Sequence, residues 1–198
     1  MDTINILYID DRIDEILSEY LDTRFINSEC SISYQEYNFE PNEGFDKLII
    51  NPLISTANII IIDSRLFENA TGSSKKFSGE DFKIILRKYY PFIEVIVITQ
   101  NEPTPDLGTI SKYNVRTGMS GLEYYEHILP DILNHAIKRI HEYRNLSRVI
   151  EKNDNIEEYI KGKVISSVQG ESAYDELTKS DIDALIDAFK TIQEKLDE

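Results

Sequence analysis

Two adjacent aspartates, Asp10 and Asp11, close the apolar stretch NILYIDDR, residues 5–12, and packing gives no reason to put two carboxylates side by side. A third carboxylate, Asp63, follows the run NIIII, and a hydroxyl, Thr99, follows EVIVI. Three gathered carboxylates make a poor general acid–base pair but a good hard-cation site. Mg²⁺ takes about six oxygens, keeps several waters, and suits one or two carboxylates plus a phosphate oxygen. The cation offsets the repulsion between the acids. A carboxylate can also attack phosphorus and carry the group as an aspartyl phosphate. Such a transfer needs positioning and charge neutralisation more than covalent help, so a nearby lysine and hydroxyl are the expected companions.

Strands must hold these groups. Residues 4–9 read as a short apolar strand of the kind buried on both faces of a parallel sheet. Residues 12–25 carry Ile13, Ile16, Leu17, Tyr20 and Leu21 at helical spacing. Residues 30–37 alternate and read as a second strand. A short helix over 45–50 follows, with Pro52 near its end, then an apolar strand over 58–62. Residues 69–79 are polar, rich in Gly and Ser, and read as a loop that holds Lys75 and Lys76. A helix over 80–90 stops at Pro91, and a strand over 94–98 runs up to Thr99. Strand–helix alternation of this kind predicts a doubly wound parallel sheet, in which ligands sit at the carboxyl ends of the strands. All three acids and Thr99 then face one mouth. Beyond Thr99, residues 108–113 fit a short fifth strand, and residues 121–152 a long amphipathic helix with Pro130 inside it or marking its true start.

Composition narrows the function. The chain has 198 residues with 36 acidic against 21 basic, a net charge of −15. That balance argues against nucleic-acid and anionic-membrane surfaces and favours protein partners. No run of about 18 apolar residues could span a membrane. The N-terminus lacks the pattern of a signal peptide. A single cysteine, Cys30, makes no internal disulfide and reads as a small buried hydrophobe. These features together predict a cytoplasmic protein. The chain divides into a domain over 1–150 and an acidic helical extension over 151–198, where 6 basic against 13 acidic residues leave −7. Within that extension, residues 180–196 form an apolar stripe at helical spacing.

The segments ILYIDD, IIIID, SGEDFKIILRKYYP and VIVIT, in that order, resemble the receiver domain of bacterial two-component response regulators over roughly residues 3–145. The resemblance implies a flavodoxin-like receiver fold: an α/β, doubly wound, five-stranded parallel sheet, with helices added at the C-terminus. It implies that Asp63 is the phosphoacceptor. It also implies that Asp10 and Asp11 hold Mg²⁺, directly or through water, together with Asp63 and the backbone carbonyl of Arg65. Thr99 would bond a phosphoryl oxygen, and Lys112 would pair with the phosphate. Three departures stand out. Only 13 residues lead from Thr99 to Lys112, so the fourth helix is expected to be short or absent. Tyr113 replaces the family's proline after the lysine, and Thr109 occupies its aromatic switch position.

The resemblance implies a phosphorylation-dependent signalling module rather than an enzyme. It would take phosphate from a histidine kinase or phosphotransfer protein and act through contacts with an output protein, not DNA. The C-terminal helices are the candidate homodimerisation element. Two alternatives are weighed beside it: a pseudo-receiver scaffold that is never phosphorylated, and a small Mg²⁺-dependent phosphohydrolase. The phosphohydrolase is disfavoured because Asp10, Asp11 and Asp14 lack the expected Asp-x-Asp spacing.

Overall fold

The structure, a computed structural model, describes residues 2–40, 42, 44–68, 77–103 and 109–170. Five strands form one sheet: β1 (Asp2–Asp10), β2 (Cys30–Asn38), β3 (Ile59–Asp63), β4 (Glu94–Thr99) and β5 (Thr109–Ser111). All four pairings are parallel and the order is β2-β1-β3-β4-β5. This is the flavodoxin-like doubly wound order, whose switch point lies between β1 and β3.

Side-chain alternation sorts each strand onto two faces. Ile4, Ile6 and Tyr8 of β1, Ile59 and Ile61 of β3, and Ile96 and Ile98 of β4 pack with Leu17, Tyr125 and Leu129. These last belong to α1 (Glu15–Glu19) and α5 (Gly121–Glu151). The other face carries Leu7, Ile9, Ile60, Ile62, Val95 and Val97. It is covered by α2 (Phe45–Ile49), α3 (Pro52–Thr56) and α4 (Gly79–Tyr89).

The structure refines several expected elements. The helix expected over 12–25 begins three residues later, where Asp14 caps α1 by accepting from the Ile16 and Leu17 amides at 3.0 and 3.2 Å. It then widens into a π-helical turn, Tyr20–Arg24, closed by Phe25 N–H donating to the Tyr20 carbonyl at 2.9 Å. An i to i+5 turn brings residues five apart onto one side. Here the Tyr20 and Phe25 rings lie 6.4 Å apart in the core. Pro52 lies just past the end of α2 and also starts the next helix: Asn51 caps α3, and proline's fixed φ suits the first turn.

Helix α5 runs unbroken through Pro130, and its start is fixed by a capping box between Ser120 and Glu123. Pro130 is therefore interior and removes one helical hydrogen bond. Of the connection between β4 and β5, residues 100–103 carry no helix and 104–108 lie outside the described residues.

Beyond α5, residues 152–170 are described and carry α6 (Glu158–Gln169), which ends at Gly170 with φ 75°. A Cβ on Gly170 would sit 2.2 Å from the Ser55 carbonyl oxygen, so the end of α6 is pressed against α3. Residues 69–76 of the expected loop, with Lys75 and Lys76, and the stripe over 180–196 lie outside the described residues, while Gly79 opens α4 rather than closing the loop. No described helix is long and apolar enough to cross a membrane.

Candidate functional site

Strand alternation gathers the acidic site. Asp10 continues the Ile4–Ile6–Tyr8 face of β1, and Asp63 continues the matching face of β3. Lys112 follows β5 directly. Its backbone N–H donates to the Thr99 carbonyl at 2.7 Å, which fixes it beside the end of β4.

The side chains of these three residues meet. Lys112 Nζ lies 2.6 Å from Asp10 Oδ2 and 2.7 Å from Asp63 Oδ1. Asp10 is 1% exposed, Asp63 6% and Lys112 9%. Asp11 is half-buried beside them. Asp10, Asp11 and Asp63 each offer a carboxylate oxygen within 4.8 Å of the others. All three donors are hard oxygens, a set that fits Mg²⁺ or Ca²⁺ and not a soft metal.

Backbone amides steady both buried carboxylates. Arg12 N–H donates to Asp10 Oδ1 at 3.1 Å, and Arg65 N–H donates to Asp63 Oδ2 at 2.7 Å. Gly79 allows this packing: its N–H donates to the Ser64 carbonyl at 2.9 Å, and a Cβ there would lie 2.4 Å from the Asp63 carbonyl oxygen. Ser64 Oγ reaches Glu80 of α4 at 2.8 Å. The start of α4 is thus locked to the turn after β3.

Charge at the site is far from ordinary. Burial drives the Asp63 carboxyl above its usual range; Lys112 opposes this, Asp10 adds to it, and the net direction is upward. Burial alone would lower the Lys112 ammonium, but its bonds to Asp10 and Asp63 outweigh that and raise it. One buried cation therefore serves two buried anions.

The remaining expected residues are placed as follows. Thr99 is buried at the end of β4, where its Oγ1 accepts from Asn101 N–H at 3.1 Å. The Arg65 carbonyl accepts from Glu68 N–H at 2.9 Å, and its guanidinium donates to Asn101 Oδ1 at 2.9 Å. Thr109 is buried in β5.

Sequence reasoning missed the polar groups behind the acids. Tyr8 is fully buried, and its hydroxyl donates to Asp10 Oδ2 at 2.5 Å while accepting from Asp14 N–H at 3.2 Å. Burial first, then the Asp10 charge, pushes the Tyr8 hydroxyl upward, so it keeps its proton. The Tyr125 hydroxyl of α5 donates to Asp14 Oδ2 at 2.9 Å and accepts from Tyr113 N–H at 3.1 Å. The available signal was spacing: a tyrosine two residues before Asp10 on one strand must share its face.

No family model matches the chain, and no curated protein matches it. Among solved structures it is similar to the crystal structure of a two component transcriptional regulator AraC from Clostridium phytofermentans ISDg. That likeness has 14% identity and a TM-score of 0.42, and covers 72% of this chain and 98% of that one. The fold assignment rests on the strand order and pairing described above.

Proposed function

We propose that the chain is a receiver-like signalling module that accepts a phosphoryl group on Asp63. The observation that carries this reading is the convergence of buried Asp63, buried Asp10 and Lys112 at the carboxyl ends of β3, β1 and β5. The site lies at the switch crevice, where doubly wound sheets bind ligands. A donor's phosphorus is attacked by a carboxylate oxygen of Asp63. As the new O–P bond forms, the donor's P–N bond breaks, and its electron pair leaves on the departing imidazole nitrogen of a phosphohistidine.

Asp10 and Asp11, with Asp63 and the Arg65 carbonyl, are the groups that would hold Mg²⁺. When bound, such an ion neutralises phosphoryl oxygens. Lys112 is held to supply a second positive charge, and the Thr99 hydroxyl to bond a phosphoryl oxygen. Phosphate would come from a histidine kinase or phosphotransfer protein, and output would pass through protein contacts. The only chemistry required is the module's own phosphorylation and dephosphorylation.

Intact mass after incubation with acetyl phosphate and Mg²⁺ tests the reading. One added phosphoryl group, dependent on Mg²⁺ and absent in Asp63→Asn, is the expected result. No addition to folded protein, beside a working control receiver, favours the unphosphorylated scaffold instead.

A further inference from the structure

A run of hydrogen bonds leaves the acidic cluster and comes back beside it, the last step being the peptide bond that joins Tyr113 to Lys112. Lys112 Nζ and the Tyr8 hydroxyl both donate to Asp10 Oδ2. Tyr8 accepts from the Asp14 backbone N–H, and the Asp14 carboxylate accepts from Tyr125. Tyr125 in turn accepts from the backbone N–H of Tyr113, the residue after Lys112. Every side chain in this circuit is buried or half-buried.

Each member is singly placed to pass a change onward. Asp14 is both the N-cap of α1 and the acceptor for α5, because Oδ1 serves the Ile16 and Leu17 amides while Oδ2 takes Tyr125. The start of α5 is pressed against both neighbours: a Cβ on Gly121 would lie 2.7 Å from the Ile16 side chain and 3.2 Å from the Tyr113 ring. The circuit also reaches the surface. The Tyr113 hydroxyl donates to the Met119 carbonyl at 2.9 Å, and Met119 is exposed. Polar groups this deep are expensive to leave unpaired, so a shift of Asp10 is expected to be followed by its hydrogen-bond partners.

We propose that Tyr8 is a positioning residue that holds Asp10 and, through Asp14 and Tyr125, transmits a change of charge at the acidic cluster to the start of α5 and the Tyr113–Met119 surface. The proposal rests on reading the cluster as the place where charge changes. The chemical logic is a contiguous hydrogen-bonded path from a site of changing charge to the start of α5, along which a local charge can bias the partners.

The test is NMR of the full chain with ring-labelled tyrosine, where Tyr8 and Tyr125 signals are assigned by their loss in Tyr8→Phe and Tyr125→Phe. Asp63→Asn alters the cluster charge without metal or phosphate. It should move the Tyr125 resonance in the wild-type background and leave it in place in the Tyr8→Phe background. Asp14→Ser, which keeps a capping oxygen on α1 but removes the Tyr125 acceptor, should abolish the movement in the same way and decides the matter if Tyr8→Phe does not fold. A Tyr125 resonance that ignores Asp63→Asn, or that moves equally without the Tyr8 hydroxyl, overturns the proposal.

Titration with Mg²⁺ alone separates this from the preceding reading. If Mg²⁺ moves Tyr8 and leaves Tyr125 still, the cation site stands and the relay falls. If Mg²⁺ moves neither, while the Asp63→Asn effect passes through Tyr8, the relay stands and the cation site falls.

Discussion

The two ends of the sheet carry charge in opposite styles. At the amino end, Asn5 and Asn58 hold the strands together: Asn5 N–H donates to Asn58 Oδ1 at 3.0 Å, and Asn58 N–H donates to the Asn5 carbonyl at 2.9 Å. Ion pairs there match acid with base, Arg144 with Asp2 at 3.3 Å and Arg139 with Glu94 at 3.1 Å, and most of these groups retain contact with water. At the carboxyl end, two carboxylates are buried against one ammonium, with a third acid beside them. An end built only for stability has no reason to bury surplus negative charge, since burying an ion costs several kcal/mol before any pairing. The imbalance sets the carboxyl end apart and is what supports the reading of it as the functional end.

Removing the shared cation should break this contrast most severely. Lys112→Met leaves Asp10 and Asp63 buried without a counter-charge and should cost about 3–5 kcal/mol of stability. Mg²⁺ should restore part of it, by binding the folded form alone, as read from urea midpoints with and without the ion. A loss below about 1 kcal/mol would remove the argument from imbalance. Gly79→Ala comes next. Its Cβ would meet the Asp63 carbonyl oxygen at 2.4 Å. The forced shift of α4 away from the site should cost about 1–3 kcal/mol. Slower phosphorylation by acetyl phosphate should accompany this loss of stability.

Asp63→Asn sharpens the contrast through its sign. The folded-state pKa of Asp63 lies above the ordinary 3.8, so the folded form binds the proton more tightly than the unfolded form does. Wild-type stability should fall as pH rises from that ordinary value through the folded pKa, and stay lower above it. The asparagine variant should lack this decline and be the more stable protein at neutral pH, measured as urea midpoints across pH. At the opposite end, Arg144→Ala removes the partly exposed pair with Asp2 together with hydrogen bonds to the Thr3 carbonyl and Asn58 Oδ1, and should cost about 1 kcal/mol in the same assay. It should leave phosphorylation unchanged.

Much of the fold could be read from local pattern. The apolar runs before Asp10, Asp63 and Thr99 are parallel-strand sequences, and their polar ends face one mouth of the sheet. Asp10, Asp11 and Asp63 do lie together, and Lys112, singled out by resemblance, reaches two of them. What stayed hidden depended on contacts distant in sequence. The π-helical turn after Glu19 sets Phe25 beside Tyr20 in the core, a placement that helical periodicity does not express. The Asp14–Tyr125 bond joins residues 111 positions apart, and no spacing rule reaches that far. In the sequence Gly79 falls both at the end of the polar loop and in a segment carrying the resemblance, but its role, the absence of a side chain against the Asp63 backbone, cannot be read from either.

Trapping the phosphorylated residue tests the central claim most directly. Protein treated with acetyl phosphate and Mg²⁺ is reduced with borohydride, which converts an aspartyl phosphate to homoserine, and the peptides are sequenced by mass spectrometry. The account predicts homoserine at position 63 alone, dependent on Mg²⁺. Homoserine at Asp10 or Asp11, or none anywhere in a folded, Mg²⁺-loaded protein, would contradict it.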